Sequence, residues 1–120
     1  MSFNMLRSKF YICPVCGNVV HSLGDIELCC CGVSVKAAEV FDTDEAHRPV
    51  IENVEDEQFI SFDHPMIKQH FISFAAFVTS DKLQMIKLYP EGNAQCRLKL
   101  HGKGILYFGC SRHGLMKVKI

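Results

Sequence analysis

A chain of 120 residues, 48% hydrophobic and 22% charged, is long enough for one core and a small annex and too apolar for a disordered tail. Its thirteen basic and thirteen acidic residues cancel, which argues against a nucleic-acid binder held by phosphate contacts, since such proteins carry a basic excess. The signs are segregated, with eight acids between Glu39 and Glu57 and eight basic residues between Lys82 and Lys119, although most of these charges read as an ordinary solvated surface.

The opening Met1-Ser2-Phe3-Asn4-Met5-Leu6-Arg7-Ser8-Lys9 has neither the apolar centre nor the cleavage site of an export signal, so the expected address is the cytoplasm. In that setting seven cysteines point to metal ligation or catalysis sooner than to disulfides, and the odd count would leave one thiol over in any pairing scheme. Five of the seven fall in the first 32 residues, where continuous apolar periodicity is weak and Leu23-Gly24-Asp25 marks a turn. Residues 1–36 therefore read as a metal-stapled knuckle, too small to fold on its own apolar burial. Within it, Cys13-Pro14-Val15-Cys16-Gly17 sets two thiolates at adjacent corners of a tetrahedron, with a glycine to let the chain turn. The second pair comes from Cys29-Cys30-Cys31-Gly32. One of these three is surplus, and Cys29 is expected to be the one, because the glycine follows Cys30-Cys31. Four thiolates suit zinc or iron equally. A redox dithiol, unligated core cysteines and a zinc ribbon that only holds the fold are the alternatives.

Val33 to Thr43 reads as a linker of mixed β character leading into the acidic stretch. Beyond it come short segments rich in Phe, Ile, Val and Leu: 58–62, 70–78, 83–89, 96–101, 105–108 and 115–120. Alternation is clearest where Cys96, Leu98 and Leu100 share one face. Thr79-Ser80-Asp81, Pro90-Glu91-Gly92-Asn93, Gly102-Lys103-Gly104 and Gly109 separate the segments as turns. This spacing predicts an all-β antiparallel sandwich or barrel over residues 37–120. The most apolar stretch, Phe71 to Val78, falls far short of the roughly 20 residues of a membrane helix, so no membrane span is expected.

Three further motifs carry candidate ligands: Glu45-Ala46-His47-Arg48-Pro49-Val50, His64-Pro65-Met66-Ile67-Lys68-Gln69-His70 and Cys110-Ser111-Arg112-His113-Gly114. A single histidine beside proline is more often a packed or surface residue. Cys110 and His113 make a stronger signal, since thiolate and imidazole three residues apart across a turn are a common ligand pair. His21 and His101 lack such a context and read as surface residues, and Cys96 as a small core residue on a strand.

The order C-P-x-C-G-N, C-C-G, E-x-H-x-P-V-I, H-P-M-x-x-x-H and C-x-x-H-G resembles the desulfoferrodoxin and superoxide reductase family over nearly the whole length. The resemblance implies a small rubredoxin- or desulforedoxin-like segment with iron on Cys13, Cys16, Cys30 and Cys31, followed by an immunoglobulin-like β-domain. That domain would carry a catalytic iron on His47, His64, His70 and His113 with Cys110 as axial ligand. It further implies reduction of superoxide to hydrogen peroxide, a small electron donor such as rubredoxin, a homodimer, and Glu45 as a sixth ligand in the oxidised resting state. Four neutral imidazoles in a plane leave iron one axial thiolate, which pushes electron density through the metal, and one open position opposite. The family motif usually reads Glu-Lys-His, the lysine attracting superoxide to the open position, whereas Ala46 stands there in this chain. Arg48 projects to the same side as residue 46 in an extended segment and is one candidate to replace the charge; Lys68 is another. Two rivals stand beside this reading: a non-catalytic metal or electron-transfer module whose missing lysine marks a lost activity, and a zinc-ribbon-type interaction domain.

Overall fold

The computed structural model describes residues 5–45, 47–99 and 103–120. Twelve strands run through them: β1 Lys9–Ile12, β2 Val19–Ser22, β3 Cys29–Cys30, β4 Val33–Ser34, β5 Val40–Asp42, β6 Val50–Val54, β7 Glu57–Ser61, β8 Ile72–Val78, β9 Leu83–Lys87, β10 Gln95–Leu98, β11 Ile105–Cys110 and β12 Gly114–Lys119. Two sheets form an immunoglobulin-like sandwich, one in the order β10-β7-β6 and the other in the order β5-β12-β11-β8-β9, while β1-β2 and β3-β4 are separate hairpins. All pairings are antiparallel except β5 with β12. Among the described residues no helix is long and apolar enough to cross a membrane.

The expected β-sandwich is present among the described residues, and alternation explains how it closes. Ala75 and Phe77 of β8, Leu106 and Phe108 of β11 and Met116 of β12 point inward against Ile60 of β7 and Cys96 and Leu98 of β10. The intervening residues Phe74, Ala76, Val78, Tyr107 and Leu115 form a second apolar layer on the outer face of the five-stranded sheet, and Phe10 of β1 covers it. Strand β8 is thus buried on both faces, which is why Ile72-Ser73-Phe74-Ala75-Ala76-Phe77-Val78 reads as an apolar run instead of an alternation.

Several local expectations are corrected. The cysteine-rich segment contains the β1-β2 hairpin in spite of its weak periodicity. The reason is that Phe10 and Tyr11 are buried on opposite sides, Phe10 on the sandwich and Tyr11 in a small core with Cys13 and Val35. His21 is not a surface residue: it is half-buried on β2, with Nε2 2.7 Å from Ser8 Oγ and its ring 5.3 Å from that of Phe10. Burial lowers its pKa. The acidic stretch contributes a strand of its own, β6, which lies at the edge of its sheet and leaves Val50 and Ile51 exposed, hence the missing alternation. Gly109 is not a turn but lies within β11, where a Cβ would come within 2.6 Å of Phe74 Cε1. Cys96 is buried in the core as expected. The expectations for His101 and for the strand end at Leu100 lie outside the described residues.

Candidate metal centres

Strand register gathers the histidine motifs at one end of the sandwich. The pairing Val50↔Ser61 sets the segment that precedes β6 beside the one that follows β7, so His47 and His64 meet. Ser111 N–H donates to Phe71 O at 2.9 Å and Phe71 N–H to Ser111 Oγ at 3.0 Å, which ties the start of β8, next to His70, to the β11-β12 turn. That turn is a three-residue loop, Ser111-Arg112-His113, closed by Gly114 at φ +83°. A β-bulge shifts the β11-β8 register between Gly109 and Cys110, re-aiming the cysteine at the strand end.

One ligand atom from each of His47, His64, His70, Cys110 and His113 lies within 4.8 Å of the others. The four imidazoles form a closed cycle, with centroid separations of 5.1 Å for His47–His64, 4.5 Å for His64–His70, 5.1 Å for His70–His113 and 4.8 Å for His113–His47. Cys110 Sγ is 3.3 Å from both His64 Nε2 and His113 Nδ1, two rings that face each other across the cycle. The sulfur therefore sits midway between the ligand nitrogens of these two opposite rings. Cys110 is buried and His113 exposed.

The second nitrogens fix the rings. His64 Nδ1–H donates to Pro65 O at 2.6 Å. Asp44 Oδ1 accepts from His47 Nδ1–H at 2.7 Å and from His47 main-chain N–H at 2.9 Å. That contact holds the Asp44 carboxyl below its ordinary pKa. Burial lowers the pKa of both His64 and His70, so each is neutral with a free lone pair at neutral pH. His70 Nε2 is buried without a hydrogen-bond partner. A buried orphan nitrogen beside three other imidazoles and a thiol is what a bound cation would satisfy, so the residues present fit a metal ion.

The second cluster is Cys13, Cys16, Cys30 and Cys31, whose sulfurs also lie within 4.8 Å of one another. Cys13 N–H donates to Asn18 O and Gly17 N–H to Cys13 O, both at 2.9 Å, and Gly17 takes φ +75°. The pairing Cys30↔Val33 leaves Cys31 and Gly32 as a two-residue turn with φ +54° and +76°. A tight hairpin of this hand needs positive φ at both central residues. This explains the adjacent cysteines: Cys30 ends a strand, Cys31 rides the turn, and the two sulfurs take neighbouring corners. Cys29 lies outside the group. The Cys16 backbone N–H pulls the Cys13 thiol down to about 6, whereas hydrogen bonding with the Cys16 thiol pushes Cys31 up to about 12. Cys13 thus ionises readily while Cys30 and Cys31 hold their protons, and a bound cation would draw the latter two into the thiolate form.

All nine expected ligand residues are brought into two groups. Glu45 lies in the turn that ends at His47, Arg48 follows it, and Lys68 occupies the turn between Ile67 and His70; all three are exposed. Ala46 lies outside the described residues. Two residues were not singled out from the sequence. Asp44 gave no signal beyond an acid three residues before a histidine, and Arg112 is one of many surface cations, yet its positive charge helps to lower the pKa of His70.

An immunoglobulin-like sandwich with a His4Cys group at one end and a four-cysteine knuckle in an N-terminal hairpin pair defines an all-β protein with two distinct metal-binding groups. A desulfoferrodoxin homologue of Archaeoglobus fulgidus is 32% identical across 89% of this chain and 93% of its own, and the desulfoferrodoxin of Desulfarculus baarsii 34% identical across 70% and 73%. The chain belongs to the desulfoferrodoxin family. The crystal structure of the superoxide reductase from Treponema pallidum superposes with a TM-score of 0.77 at 19% identity, covering 92% of this chain and 96% of that one, a likeness of fold. No family model matches the chain.

Proposed function

We propose that the protein is a superoxide reductase, an oxidoreductase that converts superoxide to hydrogen peroxide at a mononuclear iron held by His47, His64, His70, His113 and Cys110. The observation that carries this reading is the closed cycle of four imidazoles with a buried thiol 3.3 Å from two of its opposite members. Iron held there would supply the single electron, and superoxide with one electron and two protons gives one hydrogen peroxide. The residues around it do the rest. Cys110, which is buried, would donate electron density to the iron; His113, Glu45, Arg48 and Lys68 are exposed, and the cations Arg48 and Lys68 would draw a small anion toward the centre. Glu45 would supply a further carboxylate ligand in the oxidised resting state. Residues 1–36 form the second unit, with iron or zinc on its four cysteines, and residues 37–120 the catalytic one. The wider reading is a homodimer in the cytoplasm that takes electrons from a small donor such as rubredoxin.

Purified aerobically, the protein should be coloured, hold close to two irons per chain and consume superoxide with formation of hydrogen peroxide. Metal analysis together with a visible spectrum and a peroxide assay checks this. Zinc in both groups would defeat the reading, whereas zinc on the four cysteines alone would not, since thiolates accept either metal.

If Arg48 replaces the lysine charge, Arg48→Ala should slow the second-order reaction with superoxide by about two- to tenfold and flatten its dependence on ionic strength. Ala46→Lys should do the reverse. Pulse radiolysis at low and high salt measures both. A wild-type rate and salt slope in Arg48→Ala would transfer the role to Lys68, or to Arg112, whose field already bears on His70.

A further inference from the structure

We propose that Asp44 is a positioning residue of the His4Cys centre, its carboxylate holding the His47 ring so that Nε2 faces the other ligands and raising the donor strength of that nitrogen. The inference rests on the metal reading given above. One oxygen, Oδ1, accepts both the main-chain N–H of His47 at 2.9 Å and its Nδ1–H at 2.7 Å, so the same atom sets the backbone turn and the ring. With Nδ1 protonated toward Asp44, the lone pair is on Nε2, which lies 3.1 Å from His113 Nδ1 at the centre of the cluster. The contrast with His64 is informative: its Nδ1 is held by the neutral carbonyl of Pro65, a group that any residue could provide. Among the described residues, His47 is the ligand ring whose second nitrogen is held by a carboxylate. The side chain of His47 is 6% exposed and that of Asp44 57%, so the charge stays in water while the hydrogen bond reaches inward. This costs little desolvation and keeps the carboxylate ionised.

A carboxylate on the far nitrogen of a ligating histidine fixes the tautomer and makes the ligand more basic. A more basic ligand favours the higher oxidation state of the metal. Asp44 would thus add, through His47, to the electron density that Cys110 would donate to the metal.

The test uses the whole chain, loaded with ferrous iron under argon, with affinity, one-electron potential and visible spectrum measured for wild type, Asp44→Ala and Asp44→Asn. Asp44→Ala should bind iron at the His4Cys group about 10- to 100-fold more weakly, the usual cost of losing such a partner. Its potential should rise, by about 59 mV for each tenfold change in the relative affinity for the two oxidation states. In Asp44→Asn the amide oxygen can still accept both hydrogen bonds, so affinity should return to within a few-fold of wild type while the potential stays raised, because the charge is gone. A residue that only shaped the backbone would give an Asn variant with wild-type potential, and that result overturns the proposal. So does wild-type affinity in the Ala variant. Failure of the wild type to bind iron at this group overturns the metal reading and this inference together. Iron that binds but leaves superoxide untouched, with the variants behaving as described, overturns only the catalytic reading and supports the role of Asp44.

Discussion

Replacing Cys110 by serine should abolish reduction of superoxide, with a loss of more than about 100-fold, beyond what removal of an outer partner of a ligand produces. The thiol sits between two opposite imidazoles of the cycle, 3.3 Å from His64 Nε2 and His113 Nδ1. Serine is close in size, so the β-bulge and the core contacts around the strand end should survive, but its hydroxyl does not ionise readily and is a poor source of electron density. The four-cysteine group shares no residue with this centre, so absorption arising there should be unchanged. Stopped-flow or pulse radiolysis with superoxide, alongside the visible spectrum, separates the two effects. Retention of wild-type activity in Cys110→Ser would show that the thiol is not the axial ligand.

Phe10→Ala should lower the stability of the whole chain by about 3–5 kcal/mol, the usual range for a fully buried phenylalanine. At this chain length that is on the order of 10–20 °C in Tm. The ring is 1% exposed and packs 5.6 Å from Phe74 and 5.0 Å from Tyr107, on the outer face of the five-stranded sheet. Its loss would open that face to water and loosen the hairpin that carries Cys13 and Cys16. Thermal melts followed by far-UV circular dichroism and by absorption of the four-cysteine group should shift together. If the sandwich melts at its wild-type temperature while only the absorption is lost, the N-terminal segment is held by its metal alone and not by packing on the sheet.

Much of the metal chemistry could be read without coordinates. Ligation depends on residue type and short spacing, so C-x-x-C, the adjacent Cys30 and Cys31 before a glycine, and Cys110 with His113 across a turn carry their meaning locally. The strands of the sandwich were legible for a similar reason, because a sheet with one face in the core writes a period of two, clearest at Cys96 and Leu98. Where that condition fails, so does the reading. Strand β1 and strand β8 are buried on both faces, and β6 at an edge is exposed on both, so none of them alternates.

Tertiary structure alone decided how separate motifs become one centre. His47 and His64 are joined by the register of β6 on β7, and Cys110 is aimed by a one-residue bulge, neither of which leaves a trace in local spacing. Asp44 belongs to the same class. An acid near a histidine is unremarkable along the chain, and only the turn that brings Oδ1 onto both the amide and the ring of His47 makes it part of the site. Side-chain chemistry is a property of the residue, but the direction in which a side chain points is a property of the packed backbone.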